Sequence, residues 1–149
     1  MVSSLNSAQT ARDPFEQNVI IKRFTVNFND AGIATGVVRG VVPQGAILIG
    51  TDVLLNVTFN ANSTNIFTVG SNSTQLDNVV ADANVTEGTA GLYQDIKPTG
   101  TALGVLTADL PLTAKYAQTG GTVATQGQAV VIVKYVTGGG VSGGIGVDN

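Results

Sequence analysis

VIIKRFTVNFN, running from Val19 to Asn29, alternates along its length: Phe24, Val26 and Phe28 fall on one face of an extended chain, and Arg23, Thr25, Asn27 and Asn29 on the other. A period of two is the signature of a strand with one side on a core. Working outward from it, Asp30-Ala31-Gly32 reads as a tight turn, because glycine accepts the positive φ that turns demand. A second strand follows from Ile33 to Val42 and ends at Pro43, which has no amide to give to a ladder.

The pattern repeats. Ala46 to Phe59 is long for one strand, and Gly50 in its middle predicts a bulge or bend; beyond it Val53, Leu55, Val57 and Phe59 alternate with polar residues. Asn65 to Gly70 is a short strand, and further strands are expected over Thr101 to Leu110 and over LTAKYAQTG, where Leu112, Ala114 and Tyr116 share a face. Gly120-Gly121 is a turn. QAVVIVKYV, Gln128 to Val136, is almost wholly apolar, as a central strand covered on both faces would be. Between Ser71 and Gly100 no period holds; TEGTAGLYQD, Thr86 to Asp95, suggests one helical turn capped by Thr86.

Seven or eight short strands parted by Gly, Asn, Asp and Pro turns define an all-β, antiparallel β-sandwich or jelly roll, with a small β-barrel as the alternative. The expected organisation is an N-terminal arm over 1–18, the β domain over 19–136 and a Gly-rich C-terminal tail over 137–149. The two ends are polar or glycine-rich and read as flexible arms that order against a partner.

Composition narrows function. The 149 residues contain no Cys and no His, which removes thiolate and imidazole chemistry and the commonest zinc ligands. Charged residues make up only 11%, and the net charge of −3 argues against a phosphate-backbone partner, which needs clustered Lys and Arg. No run of apolar residues is long enough for a membrane helix. The first residues lack the basic-then-apolar order of an export signal, so the chain is expected to act without export. These readings predict a non-enzymatic protein with no cofactor, no nucleic-acid partner and no membrane partner.

Three motifs invite chemistry, and each has a plainer reading. Gly138-x-Gly140-x-x-Gly143 matches the dinucleotide fingerprint in letters, but too few residues follow to build the helix that would receive a pyrophosphate. Asp77, Asp82, Glu87 and Asp95 are loop carboxylates that could gather around calcium, yet their spacing fits no EF-hand loop, so no metal site is expected. Nothing marks a buried carboxyl pair of the kind glycoside cleavage needs. Phe24, Phe28, Phe59, Tyr116 and Tyr135 have the parity of core residues.

The runs FNDAGIATGVVRGVVPQGAIL (Phe28–Leu48), NVTFNANSTNIFTVGSNS (Asn56–Ser73) and LTAKYAQTGGTVATQGQAVVIVKYV (Leu112–Val136) resemble the small head decoration, or cement, proteins of tailed bacteriophages. The resemblance implies a sandwich or jelly roll on the outer surface of an icosahedral head, made in the bacterial host cytoplasm and bridging major capsid subunits as a homodimer or homotrimer. Arg12, Phe15 and Glu16 in the arm, with Lys22 and Arg23 on the first strand, are the interface candidates. A receptor-binding tail knob and a self-assembling minor coat subunit are the alternatives.

Overall fold

The computed structural model of the protein describes residues 18–137. Seven strands form: β1 (Ile20–Asn27), β2 (Val37–Val42), β3 (Ile47–Val57), β4 (Thr64–Gly70), β5 (Gly91–Ile96), β6 (Leu110–Thr119) and β7 (Gln128–Val136). They make two antiparallel sheets, one ordered β1-β7-β3-β5 and the other β2-β6-β4. Each successive strand therefore lies in the opposite sheet from the one before it, so the chain crosses between the sheets six times. This is a sandwich wound as a jelly roll, and not the barrel alternative. The eighth strand of a full jelly roll is reduced to a bridge: Val80 and Val69 exchange amide–carbonyl bonds of 2.9 and 3.0 Å on the open edge of β4.

The inner faces meet in one core. Val26 of β1, Val53 and Leu55 of β3, Phe67 and Val69 of β4, Leu112, Ala114 and Tyr116 of β6, and Val131 and Val133 of β7 are all buried. Phe59 stacks on Tyr116 with ring centroids 4.3 Å apart and lies 6.2 Å from Phe67. A Cβ at Gly127 would fall 2.1 Å from the Phe59 ring, so the glycine is there to admit the aromatic. Phe24 and Phe28 pack on the core from the β1 edge, and Tyr135 is buried, as their parity predicts.

Four local expectations are corrected. Ile33 does not begin a strand: residues 31–35 form turns, its side chain is buried, and β2 starts only at Val37. Thr101–Leu110 is not a strand; Gly100–Ala102 is a 3-10 turn, and the buried residues Ala102, Leu106 and Leu110 recur every fourth position instead of every second. Thr86–Asp95 holds no helix. Thr89 closes a turn on the Thr86 carbonyl (2.9 Å), and Gly91 opens a strand, β5. Finally β7 is central, with β1 and β3 on its flanks, but its outer face is covered only at Val130; Ile132, Lys134 and Val136 on that side stay half-exposed. The bulge expected at Gly50 is present, since the β3–β7 register slips between Leu48 and Gly50.

Candidate interaction surface

Pairing registers place the outward residues of the four-stranded sheet in rows across the strands. One row runs Thr25, Val130, Leu54, Leu92; the next runs Arg23, Ile132, Asp52, with Asp95 beside it. A third sets Ile21 beside Lys134 and Gly50, and at the sheet's end Val136 faces Ile47, whose other neighbour is Val105. Ile21, Ile47, Ile49, Leu54 and Leu92 are exposed, Ile21 and Leu92 by more than half (56% and 52%). An antiparallel sheet with one free face ordinarily carries polar residues there. Exposed apolar residues gathered on one sheet face make it a candidate interaction surface.

The polar groups of this face are few and partly spoken for. Lys134 donates to Asp52 at 3.1 Å, and the Asp95 amide donates to the other Asp52 oxygen at 2.9 Å. Burial works against the Asp52 carboxylate, but those two donors outweigh it and hold its pKa below the ordinary value. Asp95 sits in the left-handed region at φ 63° and pairs with exposed Lys97. Arg23 makes no ion pair with any described carboxylate.

Of the residues singled out in the sequence, Arg12, Phe15 and Glu16 lie outside the described residues, as do Gly138, Gly140 and Gly143. Lys22 and Arg23 are not brought together. Their neighbours across the ladder are Val133, which is buried, and Ile132, which is outward, so the two cations project to opposite sides of β1. Of the loop carboxylates, Asp82 and Glu87 come together as a pair, but among the described residues no group of three or more His, Cys, Asp or Glu is placed to hold a metal.

Glu87, read in the sequence only as a loop carboxylate that could meet calcium, has a role that sequence reasoning missed. It is buried, and its Oε1 accepts the Phe67 amide at 2.8 Å, closing a donor that the open edge of β4 would otherwise leave unpaired. Burial, together with the nearby Asp82 carboxyl, pushes its pKa up to about 7 despite that bond. No periodicity or spacing could have found it, because its partner is a backbone amide twenty residues upstream. A half-open depression of about 320 Å³ near Ser71, Thr101 and Pro111 contains one carboxylate, Asp109, whose Oδ1 already accepts the Gln44 amide at 2.9 Å. A lone, engaged carboxylate supplies neither an acid–base pair nor a nucleophile with its activating base.

No protein-family model and no curated protein matches the chain. Its fold is similar to chains in three solved phage capsids. The cyanophage Pam1 capsid asymmetric unit gives a TM-score of 0.57 at 20% identity, over 80% of this chain and 85% of that one. The capsid of Ralstonia phage GP4 gives 0.58 at 18% identity, over 83% and 86%. The acidic stable capsid structure of Helicobacter pylori bacteriophage KHP30 gives 0.58 at 14% identity, over 83% and 90%. At these identities the likeness is one of fold: a jelly-roll sandwich of a kind that occurs in phage capsids.

Proposed function

We propose that this chain is a structural virion protein of the head decoration, or cement, type, which binds the outer surface of a phage head and bridges major capsid subunits. The observation that carries the reading is the fold likeness to chains in three phage capsids. It extends over most of both partners each time, so each matched chain is about as long as this one and is accounted for by a single sandwich. The apolar outer sheet face and the arm with Arg12, Phe15 and Glu16 are the contact elements under this reading. Many shallow contacts repeated around a symmetric shell multiply into lasting attachment without any one of them being strong.

The test is cosedimentation of the full chain with capsids that lack it. Saturable binding at an integer number of copies per capsid subunit or symmetry axis is expected. Removal of Met1–Glu16 should abolish binding while circular dichroism of the domain stays unchanged. Absence of binding by the full chain would discard the decoration role in favour of a tail-knob role, next tested on host cells.

A further inference from the structure

The free edge of β4 is shut in part by a side chain where a strand would stand. We propose that Glu87 and Asp82 form a proton-operated latch on that edge. With one proton between them Glu87 stays inside and caps the Phe67 amide; with both ionised its side chain leaves and the edge opens.

Val80 runs beside Val69 as a strand would, its amide and carbonyl both engaged. The chain then turns away through Asp82–Asn84, a turn held by the Ala81 amide on Asn84 Oδ1 at 2.8 Å. The next donor taken along the edge, Phe67, therefore meets no backbone carbonyl and is met by Glu87 Oε1 at 2.8 Å. A carbonyl is neutral at every pH, whereas a carboxyl brings a titratable charge to a buried place: Glu87 is only 8% exposed. The Asp82 carboxyl, carried by the same turn, hydrogen-bonds with it. Two carboxyls can share a hydrogen bond only while a proton lies between them, and without it like charges face each other.

No cation stands ready to balance that second charge. β4 carries no titratable side chain, and the Phe59 segment offers only its amide, which donates to the Glu87 carbonyl at 2.9 Å. From β6 comes Tyr116, whose hydroxyl donates to Asn65 at 2.6 Å and is kept protonated by burial and by Glu87 itself. Lys115, next along β6, points to the other face of that sheet. From β5 comes Tyr93, whose hydroxyl donates to the carbonyls of Thr86 and Thr89 at 3.0 and 2.7 Å. Neither Glu87 nor Asp82 forms an ion pair with a described Lys or Arg. Tyr93 thus pins the turn on both sides of Glu87 and confines the movement to the carboxyl. Its way out is clear, since even a Cβ on neighbouring Gly88 would meet nothing within 4 Å. Once the carboxyl leaves, the Phe67 amide becomes a free edge donor of the kind that pairs with another extended segment.

Amide hydrogen exchange of the full chain, resolved by residue at pH 5.5 and pH 8 and corrected for intrinsic rates, tests the latch. Protection of the Phe67 amide should fall by about tenfold or more between the two, as a carboxyl lifted from 4.5 to about 7 requires. At pH 8 Phe67 should also exchange at least about tenfold faster than Val131 and Val133 of the central strand, which are released only by global unfolding. Glu87→Gln keeps the acceptor without the charge and should hold Phe67 equally closed at both pH values. Asp82→Asn removes the facing charge, so Phe67 should stay closed to a higher fraction at pH 8 than in the wild type; it serves also should the first variant fail to fold, and melting curves establish folding in each. Equal protection of wild-type Phe67 at the two pH values overturns the proposal. So does a Phe67 amide that exchanges no faster than the β7 amides at pH 8, because the edge then opens only with the whole fold. Folded variants that keep the wild-type pH dependence overturn it as well.

Discussion

The two sheets share one core but treat their outer faces differently. The three-stranded sheet is closed by its own chain at one end. After β4, residues Ser71–Asp77 fold back so closely that a Cβ on Gly70 would meet the Gln75 carbonyl at 2.0 Å. Leu76 comes within reach of Gly36, beside β2, and Thr113 of β6 is buried. Asn78 locks the return, accepting the Ser71 amide and donating to the Ser71 and Thr101 hydroxyls at 2.9 to 3.0 Å. Val80 and Glu87 then close the β4 edge. The four-stranded sheet receives no such cover among the described residues. The chain thus closes one end of the three-stranded sheet, where Val38 and Val41 of β2 still stay exposed, and leaves the outward apolar residues of the four-stranded sheet uncovered.

The sharpest way to break this contrast is at Gly70. Gly70→Val would drive two methyls into the Gln75–Leu76 backbone, which cannot yield as a flexible side chain would, and we expect a loss of roughly 3 kcal/mol or more, in the range of overpacked or strained sites. Thermal unfolding would show the melting temperature falling by ten degrees or more, or no cooperative transition at all.

The seal at Glu87 predicts a smaller, pH-dependent effect. Its folded pKa lies near 7 against an ordinary 4.5, so between those values the folded state holds a proton that the unfolded chain has released. Stability should therefore rise as pH falls from about 8 to about 5. Asp52 works the other way: its depressed folded pKa contributes stability that is lost only as pH falls below the ordinary carboxylate range. Melting curves should peak near pH 5, and Glu87→Gln, which keeps an acceptor for the Phe67 amide, should flatten the rise. An unchanged slope in that variant would take Glu87 out of the account.

The smallest effect belongs to the bare side. Leu54→Ser on the outer face should change the melting temperature of the isolated monomer by only a degree or two, the ordinary range for an exposed position. A large destabilisation there would mean that the face is already covered within one copy, and the contrast between the sheets would dissolve.

Much of the fold could be read from the chain, for a physical reason that also explains the misses. Strands β1, β3 and β6 announce themselves because one face of each meets the core, and alternation is the trace of that contact, whereas β7 shows as an apolar run and β4 as a short segment between polar turns. β5 is hidden. It has a glycine at its start, and the left-handed residue Asp95 breaks its register with β3 after only Leu92 and Tyr93 have alternated. Leu103–Asp109 misleads in the opposite sense, with apolar residues enough for a strand but with Leu103 and Val105 exposed. The candidate surface was half legible: the outward placement of Arg23 and the double-faced apolarity of β7 are visible in the letters. That the second face is open, and that Leu54 and Leu92 join it, depends on strand order, which no local pattern encodes.

The ends of the described chain carry a mechanical consequence. Ile20 pairs with Tyr135, so β1 begins and β7 finishes side by side at one end of the same sheet. Tension applied between the segments before Asn18 and after Thr137 would open the β1–β7 ladder one bond pair at a time, as a zipper opens, instead of loading all its bonds together. A zipper yields to little force. If both segments grip their surroundings, they serve best by gripping the same neighbour, leaving the broad sheet face to carry load from one neighbour to the next.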